Sequence, residues 1–454
     1  MIRVSHGVAL LALAVVPCRP CMSAAGEAAQ PARAENLTDF SEAAKTIPKP
    51  REIWAILREE HVIPREFAVK SDEIVAADTD PSLKLRKVRA HFWSQRIGGK
   101  KWGHPCVILL PADSSRNMAP PRRGRVVIFG GGTGAVMEHE VANYGEPIAA
   151  RTGYPTMVLA NPGEYEDGAP IENDIQILGR LKKETGKGYY NMNCQLAVVY
   201  IQAMNAFQEF LGLPAVSAVL GGHSKRGRSA PVAAAMDGRV ASAVIMGNEG
   251  VYTPDQRTPN LSFYYPFFQE QVAVPVFYLG VTNEGGYKMF NVALMEKQLR
   301  TPLTVEMIPN YVHSTYHPVQ YMDFLMWVAH TFDGRPLSRI AGVTHERRDN
   351  RTFFRARVAG GAKVKTVSLW IAYSDNPAWR DVMWYQYLMW DRGDCYETSI
   401  HGKVPDAFMI EVSDIAQGIS GYVSTVPYKL TDAPVVERDP EHGYLPRFWK
   451  PTND

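Results

Sequence analysis

Val219-Leu220-Gly221-Gly222-His223-Ser224-Lys225-Arg226-Gly227 is the stretch on which the reading of this chain turns. The apolar run Val216 to Leu220 leads into it and an Ala-rich segment leads out, so a buried strand, a tight turn and a helix follow one another directly. A serine on such a turn is presented at the top of a sheet, the context of a nucleophile elbow. Gly222, two residues before the serine, removes a Cβ that would clash in the turn. The usual pattern is G-x-S-x-G; here Arg226 holds the place of the second glycine and Gly227 follows one position later. Backbone N–H groups and the dipole at the start of the following helix favour a developing oxyanion, which assigns one donor to the N–H of Lys225. The alternative is a serine that merely caps the helix. The partners found along the rest of the chain favour the nucleophile.

Upstream, Val126-Val127-Ile128-Phe129 is a short apolar strand that runs straight into Gly130-Gly131-Gly132-Thr133-Gly134. A glycine-rich loop in this position supplies the second oxyanion donor, which places Gly131 and Gly132 in that role. The loop lacks G-x-x-x-x-G-K-[ST], and position 137 is Met where a dinucleotide fingerprint needs its third glycine. A plain tight turn is the remaining alternative. Further strands are expected at Val107 to Leu110, Thr156 to Ala160, Ala243 to Met246, Val276 to Leu279 and Thr304 to Ile308. Leu196, Val199, Ala203, Phe207 and Phe210 recur at helical spacing, as do Tyr321, Phe324, Leu325, Val328 and Phe332. Strands alternating with helices predict a mostly parallel sheet covered on both faces.

A serine nucleophile needs a base and an acid, which in this fold follow it in the order Ser, acid, His. His313 comes just after the strand Thr304 to Ile308, where the base is expected; His317 is the fallback, and His330 belongs to an apolar helix face. Two carboxylates sit just past strand ends, Glu249 in Gly247-Asn248-Glu249-Gly250 and Glu284 in Thr282-Asn283-Glu284-Gly285. The later strand end is the commoner place for the acid, so Glu284 is preferred and Glu249 stays open. No H-E-x-x-H or comparable cluster is present, and neither a metal nor another cofactor is expected.

Gly334-Arg335-Pro336 marks a boundary, beyond which alternation replaces helical periodicity, as in Val367-Ser368-Leu369-Trp370-Ile371. Strands at Thr352 to Val358, Ala407 to Val412 and Tyr422 to Val426 suggest a small β-sandwich. Trp379, Trp384 and Trp390 could stack on sugar from its surface, but sandwich cores also use tryptophan and the core reading is preferred.

At the N-terminus, Arg3, the apolar run Val8 to Val16 and Ser23-Ala24-Ala25 have the form of a secretory signal, and the run is too short to span a bilayer comfortably. The expected organisation is a signal peptide over 1–25, a tether and lead-in over 26–84, a catalytic domain over 85–337 and a β-rich domain with its tail over 338–454. Of five cysteines, Cys106, Cys194 and Cys395 lie beyond the signal, too few for a disulfide framework. A formal net charge of +2 in 454 residues, with both signs interspersed, argues against nucleic acid or an anionic membrane as the main partner.

Gly222-His-Ser-Lys-Arg-Gly227, followed by Asp237-Gly-Arg239-Val240, resembles the PhoPQ-activated pathogenicity-related proteins. The resemblance extends to Ser94-Gln95, Trp102-Gly103-His104, Thr282-Asn283-Glu284 and Pro309-Asn310-Tyr-Val-His313-Ser314. It continues in Trp370-Ile-Ala372, Trp379-Arg380-Asp381 and Trp384, and so covers most of residues 85 to 430. It implies an α/β-hydrolase core with a β-rich C-terminal domain on an exported protein. The family favours Asp at both acid positions, where this chain has Glu. The elbow alone is also similar to that of glucuronoyl esterases, where a basic residue follows the serine.

These readings lead to an exported, secreted or periplasmic, serine hydrolase. The expected substrate is a small-molecule or polysaccharide ester, carbohydrate-linked or otherwise anionic. Ser224 is the expected nucleophile, and Lys225 and Arg226 offer charge-assisted hydrogen bonds, Arg226 as a substrate-binding residue. The charges pointing outward as solvated groups is the alternative for both. A serine peptidase of the same fold and a non-catalytic binding protein on a hydrolase scaffold are the competing functions.

Overall fold

The computed structural model describes residues 48–78, 80–112, 122, 124–132, 135–247, 271–374, 377–433 and 435. The signal and most of the tether, Glu249, and most of the insertion from Gly250 to Val274 therefore lie outside the described residues.

Helix α1 (Pro50–Glu60) precedes the antiparallel strands β1 (Ala68–Ala77), β2 (Asp80–Ile97) and β3 (Lys100–Pro111). Strand β4 (Arg125–Gly131) is followed by helices α2 (Ala135–Glu140) and α3 (Glu146–Thr152), joined by a π-helical turn over Val141–Gly145. Then come β5 (Thr156–Ala160), α4 (Ile177–Thr185), α5 (Met192–Leu211), β6 (Ser217–His223), α6 (Lys225–Met236) and β7 (Val240–Met246). After β8 (Val276–Val281), α7 (Gly286–Gln298), β9 (Leu303–Ile308) and α8 (Pro318–Asp333) complete the unit. These strands form one nine-stranded sheet in the order β1-β2-β3-β5-β4-β6-β7-β8-β9. Pairing is parallel from β5 through β4 and β6 to β9, and β3 meets β5 antiparallel.

The continuous apolar runs of the central strands follow from burial on both faces. Along β4, Val126 and Ile128 join the core beneath α5 and α6, while Val127 and Phe129 face the opposite core with α3 and α8. Strand β1 had no such signature, because as an outer strand it leaves most of its residues exposed, Val69 and Ile74 among them. The sheet thus begins at Ala68, and β2 runs across the residue-85 boundary expected from sequence. Among the described residues Cys106, Cys194 and Cys395 are buried, and none joins another in a disulfide. None of the described helices is long and apolar enough to cross a membrane.

From Ser338 onward the chain is antiparallel. Strands β10 (Ser338–Arg348), β11 (Arg351–Gly360), β12 (Lys363–Ala372), β13 (Trp384–Leu388), β14 (Trp390–Asp391), β15 (Tyr396–His401), β16 (Ala407–Ala416), β17 (Ile419–Ser424) and β18 (Tyr428–Lys429) follow. They form two sheets, β10-β11-β15-β14 and β13-β12-β16-β17, with β18 beside β16. Phe354, Leu369, Ile371, Phe408 and Ile410 fill the space between them. The joint to the α/β body is polar and buried. Arg335 reaches Asp414 at 2.5 Å, Tyr422 N–H donates to Asp323 at 2.8 Å, and Met307 N–H donates to Ser424 Oγ at 2.8 Å. Trp379 and Trp384 are core residues, as expected, whereas Trp390 is exposed. A large mixed sheet flanked by helices, with a strand-elbow-helix at β6-Ser224-α6 and an antiparallel C-terminal domain, is an α/β-hydrolase fold carrying a β-sandwich-like domain.

Candidate active site

Ser224 sits between β6 and α6 with φ +60° and ψ −133°, a conformation that L side chains seldom adopt. The sheet holds it there: its N–H donates to Met246 O at 2.9 Å, and Arg228 N–H returns to its carbonyl at 3.0 Å. Its side chain makes no capping hydrogen bond to the helix, contrary to the capping alternative. Tyr200, buried on α5, fastens the elbow by donating to the carbonyl oxygens of Gly221 at 2.8 Å and Arg226 at 3.2 Å.

The displaced glycine is explained by packing. A Cβ on Gly227 would stand 2.4 Å from Gly222 O and 2.9 Å from Met246 N, both backbone atoms that cannot turn aside. A Cβ on Gly222 would meet Tyr200 Oη at 2.7 Å and Arg226 Cβ at 2.8 Å. The helix therefore lies so close to the sheet that positions 222 and 227 need glycine, and position 226 points where an Arg can leave.

The expected base and acid loops are tied together. Thr282 N–H donates to Ile308 O at 3.1 Å, Asn283 N–H to Tyr311 O at 3.0 Å, and Asn310 N–H to Thr282 Oγ1 at 2.8 Å. Across this junction His313 Nδ1 lies 2.9 Å from Glu284 Oε2. Glu284 is almost wholly buried, and its other oxygen meets Lys288 Nζ at 3.0 Å, one turn into α7. The fallback histidine is otherwise engaged: His317 Nδ1 accepts Val319 N–H at 3.2 Å as the cap of α8. His330 Nδ1 meets Arg335 O at 2.7 Å, a structural contact at the other end of that helix.

His223, next to the serine, packs its ring against that of His313, tilted by 49° with centroids 4.2 Å apart. Burial, and then the neighbouring His313, push its pKa well below the usual histidine range, so it stays neutral. Gly247 (φ +79°) makes this histidine pair fit, since a Cβ there would stand 3.1 Å from His223 Nε2 and 3.2 Å from His313 Nδ1.

The glycine loop brings a change to the expected oxyanion donors. Gly130 and Gly222 are register partners of β4 and β6, so Gly131 and Gly132 lie beside the elbow. The Gly132 N–H, however, donates to Glu140 Oε2 at 2.8 Å instead of standing open. Gly131 leaves out the Cβ that this carboxylate would strike. Burial raises Glu140 to about 7, against the opposing pull of the Gly132 N–H and of Arg226. The N–H of Lys225, first residue of α6, has no carbonyl of its own helix to serve.

Lys225 and Arg226 are partly buried and already engaged. Both meet Glu172, Lys225 through Nζ and Arg226 through Nη2 at 2.9 Å, and Arg226 Nε also donates to Asn161 O at 2.5 Å. Two cations on one carboxylate leave the cluster one positive charge in excess. Sequence reasoning missed Glu172, Glu140 and Lys288, which come from other segments and carry no motif. The resemblance residues Ser94 and His104 form a separate buried pair, Oγ to Nε2 at 2.6 Å, with His104 Nδ1 on Ala160 O at 3.0 Å. Burial drives His104 down to about 3, and the pair serves β2 and β3 as a neutral tie. Among the described residues no cluster of His, Cys, Asp and Glu could hold a metal ion.

Scans against protein-family models and curated proteins found no match. Solved structures similar to this chain include an acetyl xylan esterase from a Paenibacillus species, at 13% identity and TM-score 0.44, over 66% of this chain and 96% of that one. An S-formylglutathione hydrolase from Agrobacterium tumefaciens is similar at 13% identity and TM-score 0.41, over 58% and 99%. A glucuronoyl esterase from Solibacter usitatus is similar at 12% identity and TM-score 0.41, over 66% and 98%.

Proposed function

We propose that this chain is an exported serine hydrolase that cleaves carboxylic esters, with Ser224 as nucleophile, His313 as base and Glu284 as the orienting acid. The observation that carries the reading is the 2.9 Å contact of Glu284 Oε2 with His313 Nδ1, made by loops at the same end of the sheet as the elbow. Ser224 Oγ attacks the ester carbonyl while His313 Nε2 takes its proton; Glu284 stabilises the imidazolium through Nδ1. His313 then protonates the leaving alcohol oxygen as the C–O bond breaks, giving an acyl-serine. Water, deprotonated by His313, attacks that ester and releases the acid with Ser224 restored. The developing oxyanion is met by the N–H of Lys225 and, in the Gly131–Gly132 segment, by the Gly132 N–H once the substrate displaces Glu140 from it.

An anionic or carbohydrate-linked ester fits the excess positive charge of the Lys225–Arg226–Glu172 cluster, in which Arg226 binds substrate. The N-terminal signal, the division near residue 337 and kinship with the PhoPQ-activated pathogenicity-related proteins belong to the same reading. The test is labelling by a fluorophosphonate probe, followed by turnover of a panel of sugar and aryl esters. The reading predicts labelling at Ser224 and ester turnover that Ser224→Ala abolishes. An unlabelled protein, or full turnover by Ser224→Ala, refutes it.

A further inference from the structure

The C-terminal domain presents aromatic rings that its own core does not use. On β13, the outermost strand of its sheet, Tyr385 and Tyr387 are 51% and 40% exposed. They pair in register with Ile371 and Leu369, which belong to the sandwich interior, so the two tyrosines extend that face past the point where the second sheet covers it. Two residues apart on a strand, their rings are spaced ~7 Å along one face. Beside them opens a cleft of about 360 Å³, lined by Tyr373, Ser374, Asp381, Tyr385 and Lys403 among others. Tyr373 is itself braced: its hydroxyl donates to Lys403 O at 3.2 Å, and Lys403 Nζ stands 5.5 Å from its ring centroid.

This patch is joined to the catalytic loops. Asn283, next to Glu284, donates through Nδ2 to Arg380 O at 2.7 Å and Val382 O at 2.9 Å. Asn310, three residues before His313, clamps the start of β13 by accepting Trp384 N–H at 2.8 Å and donating to Trp384 O at 2.9 Å. Both loops that carry the acid and the base therefore grip the segment 380–384, from which Asp381 enters the cleft and which Tyr385, also lining it, directly follows.

We propose that this cleft is a carbohydrate-binding subsite, which holds the sugar chain of a polymeric ester while the ester reaches Ser224. The proposal deepens the hydrolase reading and rests on it for the second clause only. The chemistry selects the ligand. A pyranose has an apolar C–H face that stacks on an aromatic ring and a rim of hydroxyls that need donors and acceptors, here the carboxylate of Asp381, the ammonium of Lys403 and the hydroxyl of Ser374. A protein partner would instead want a centre depleted of charge.

The experiment reads binding without turnover. Ser224→Ala protein is run through native gels cast with acetylated xylan, methyl-esterified pectin or alginate, beside gels without polysaccharide. Retardation by at least one polymer is expected. Adding Tyr385→Ala and Tyr387→Ala should weaken the apparent affinity about ten-fold or more, the scale of losing stacked rings. Adding Tyr385→Phe and Tyr387→Phe should retain most of it, and circular dichroism of each variant checks the fold. Equal mobility in all gels overturns the subsite, as does retardation that the Ala pair leaves intact. Sedimentation of the same proteins supplies the rival outcome: a dimer that the Ala pair dissociates, without polysaccharide binding, makes the face a self-association surface and removes the proposal. Retardation by a polymer with no ester turnover by the wild-type protein would leave the subsite standing and refute the hydrolase reading.

Discussion

Glu284 and His313, 29 positions apart in the chain, meet at 2.9 Å because a threonine and two asparagines lace the loops that carry them. This gives a first prediction. Glu284→Gln should leave the fold intact but favour the wrong tautomer of His313, with a loss of kcat that can reach ~10⁴-fold. Glu249→Gln, measured beside it, should cost far less. A large loss confined to Glu249→Gln would transfer the acid to the earlier strand end, and similar losses in both would make the carboxylates a working pair.

How much of this was legible depends on range. The central strands announced themselves because burial on both faces demands unbroken apolar runs, and the elbow because its strand and helix adjoin it in sequence. The sequence preferred His313 to His317 from its place after β9, and it is His313 that meets Glu284 while His317 caps α8. Strand β1 was not, since an outer strand with one exposed face after another has no period to read. Glu140, Glu172 and Lys288 were not either. Each is an ordinary surface-type residue on a helix, and only the folded chain turns it toward Gly132, Arg226 or Glu284.

The strained backbone of Ser224 sets activity against stability. A residue held in such a region costs on the order of 1–3 kcal/mol, which glycine escapes. Ser224→Gly should therefore unfold at a higher temperature than the wild type, while Ser224→Ala keeps the strain and gains little. Both should lose at least ~10³-fold in turnover. Thermal melts of the three proteins decide it; a Ser224→Gly protein that melts lower than wild type would mean that the elbow is not strained.

Glycines 179 and 227 should respond in opposite directions. In α4, a Cβ on Gly179 meets nothing within 4 Å, so Gly179→Ala should stabilise by roughly 0.5–1 kcal/mol through helix propensity alone. Gly227→Ala drives a methyl into the backbone of Gly222 and Met246 and should destabilise by ~3 kcal/mol or more. Urea unfolding measures both. A mild effect at Gly227 would undo the explanation given for the displaced glycine of the elbow.

The pH dependence of stability carries the mark of Glu140. Its pKa is raised by burial from 4.5 to about 7, so the folded protein holds a proton that the unfolded chain gives up. The stabilisation is full below the unfolded value and is lost as pH rises toward 7. Glu411, raised by burial to about 7 as well, adds to the same slope, so the test is a difference. Glu140→Gln keeps an acceptor for Gly132 N–H but cannot ionise. Its unfolding free energy, minus that of the wild type, should grow between about pH 4.5 and 7 and then level off. A difference that is flat across this range would show that Glu140 titrates as an ordinary carboxylate.

Last is the charge beside Ser224, the proposed nucleophile. Lys225 and Arg226 share the single carboxylate of Glu172, and the contact is half-buried, so the net positive charge is screened less than one on open surface. If the cluster selects an anionic ester, Arg226→Gln should lower kcat/KM for an ester bearing a carboxylate by about ten-fold relative to its neutral amide analogue, which corresponds to ~1.4 kcal/mol. Glu172→Gln should act in the other sense, since it frees a cation that the protein now neutralises, and should raise the preference for the charged ester. Added salt should shrink both differences. The two substitutions must move the ratio in opposite directions for recognition to be electrostatic. If Glu172→Gln instead lowers turnover of both esters alike, Glu172 holds Arg226 against Asn161 for the shape of the site, and the preference for an anion falls.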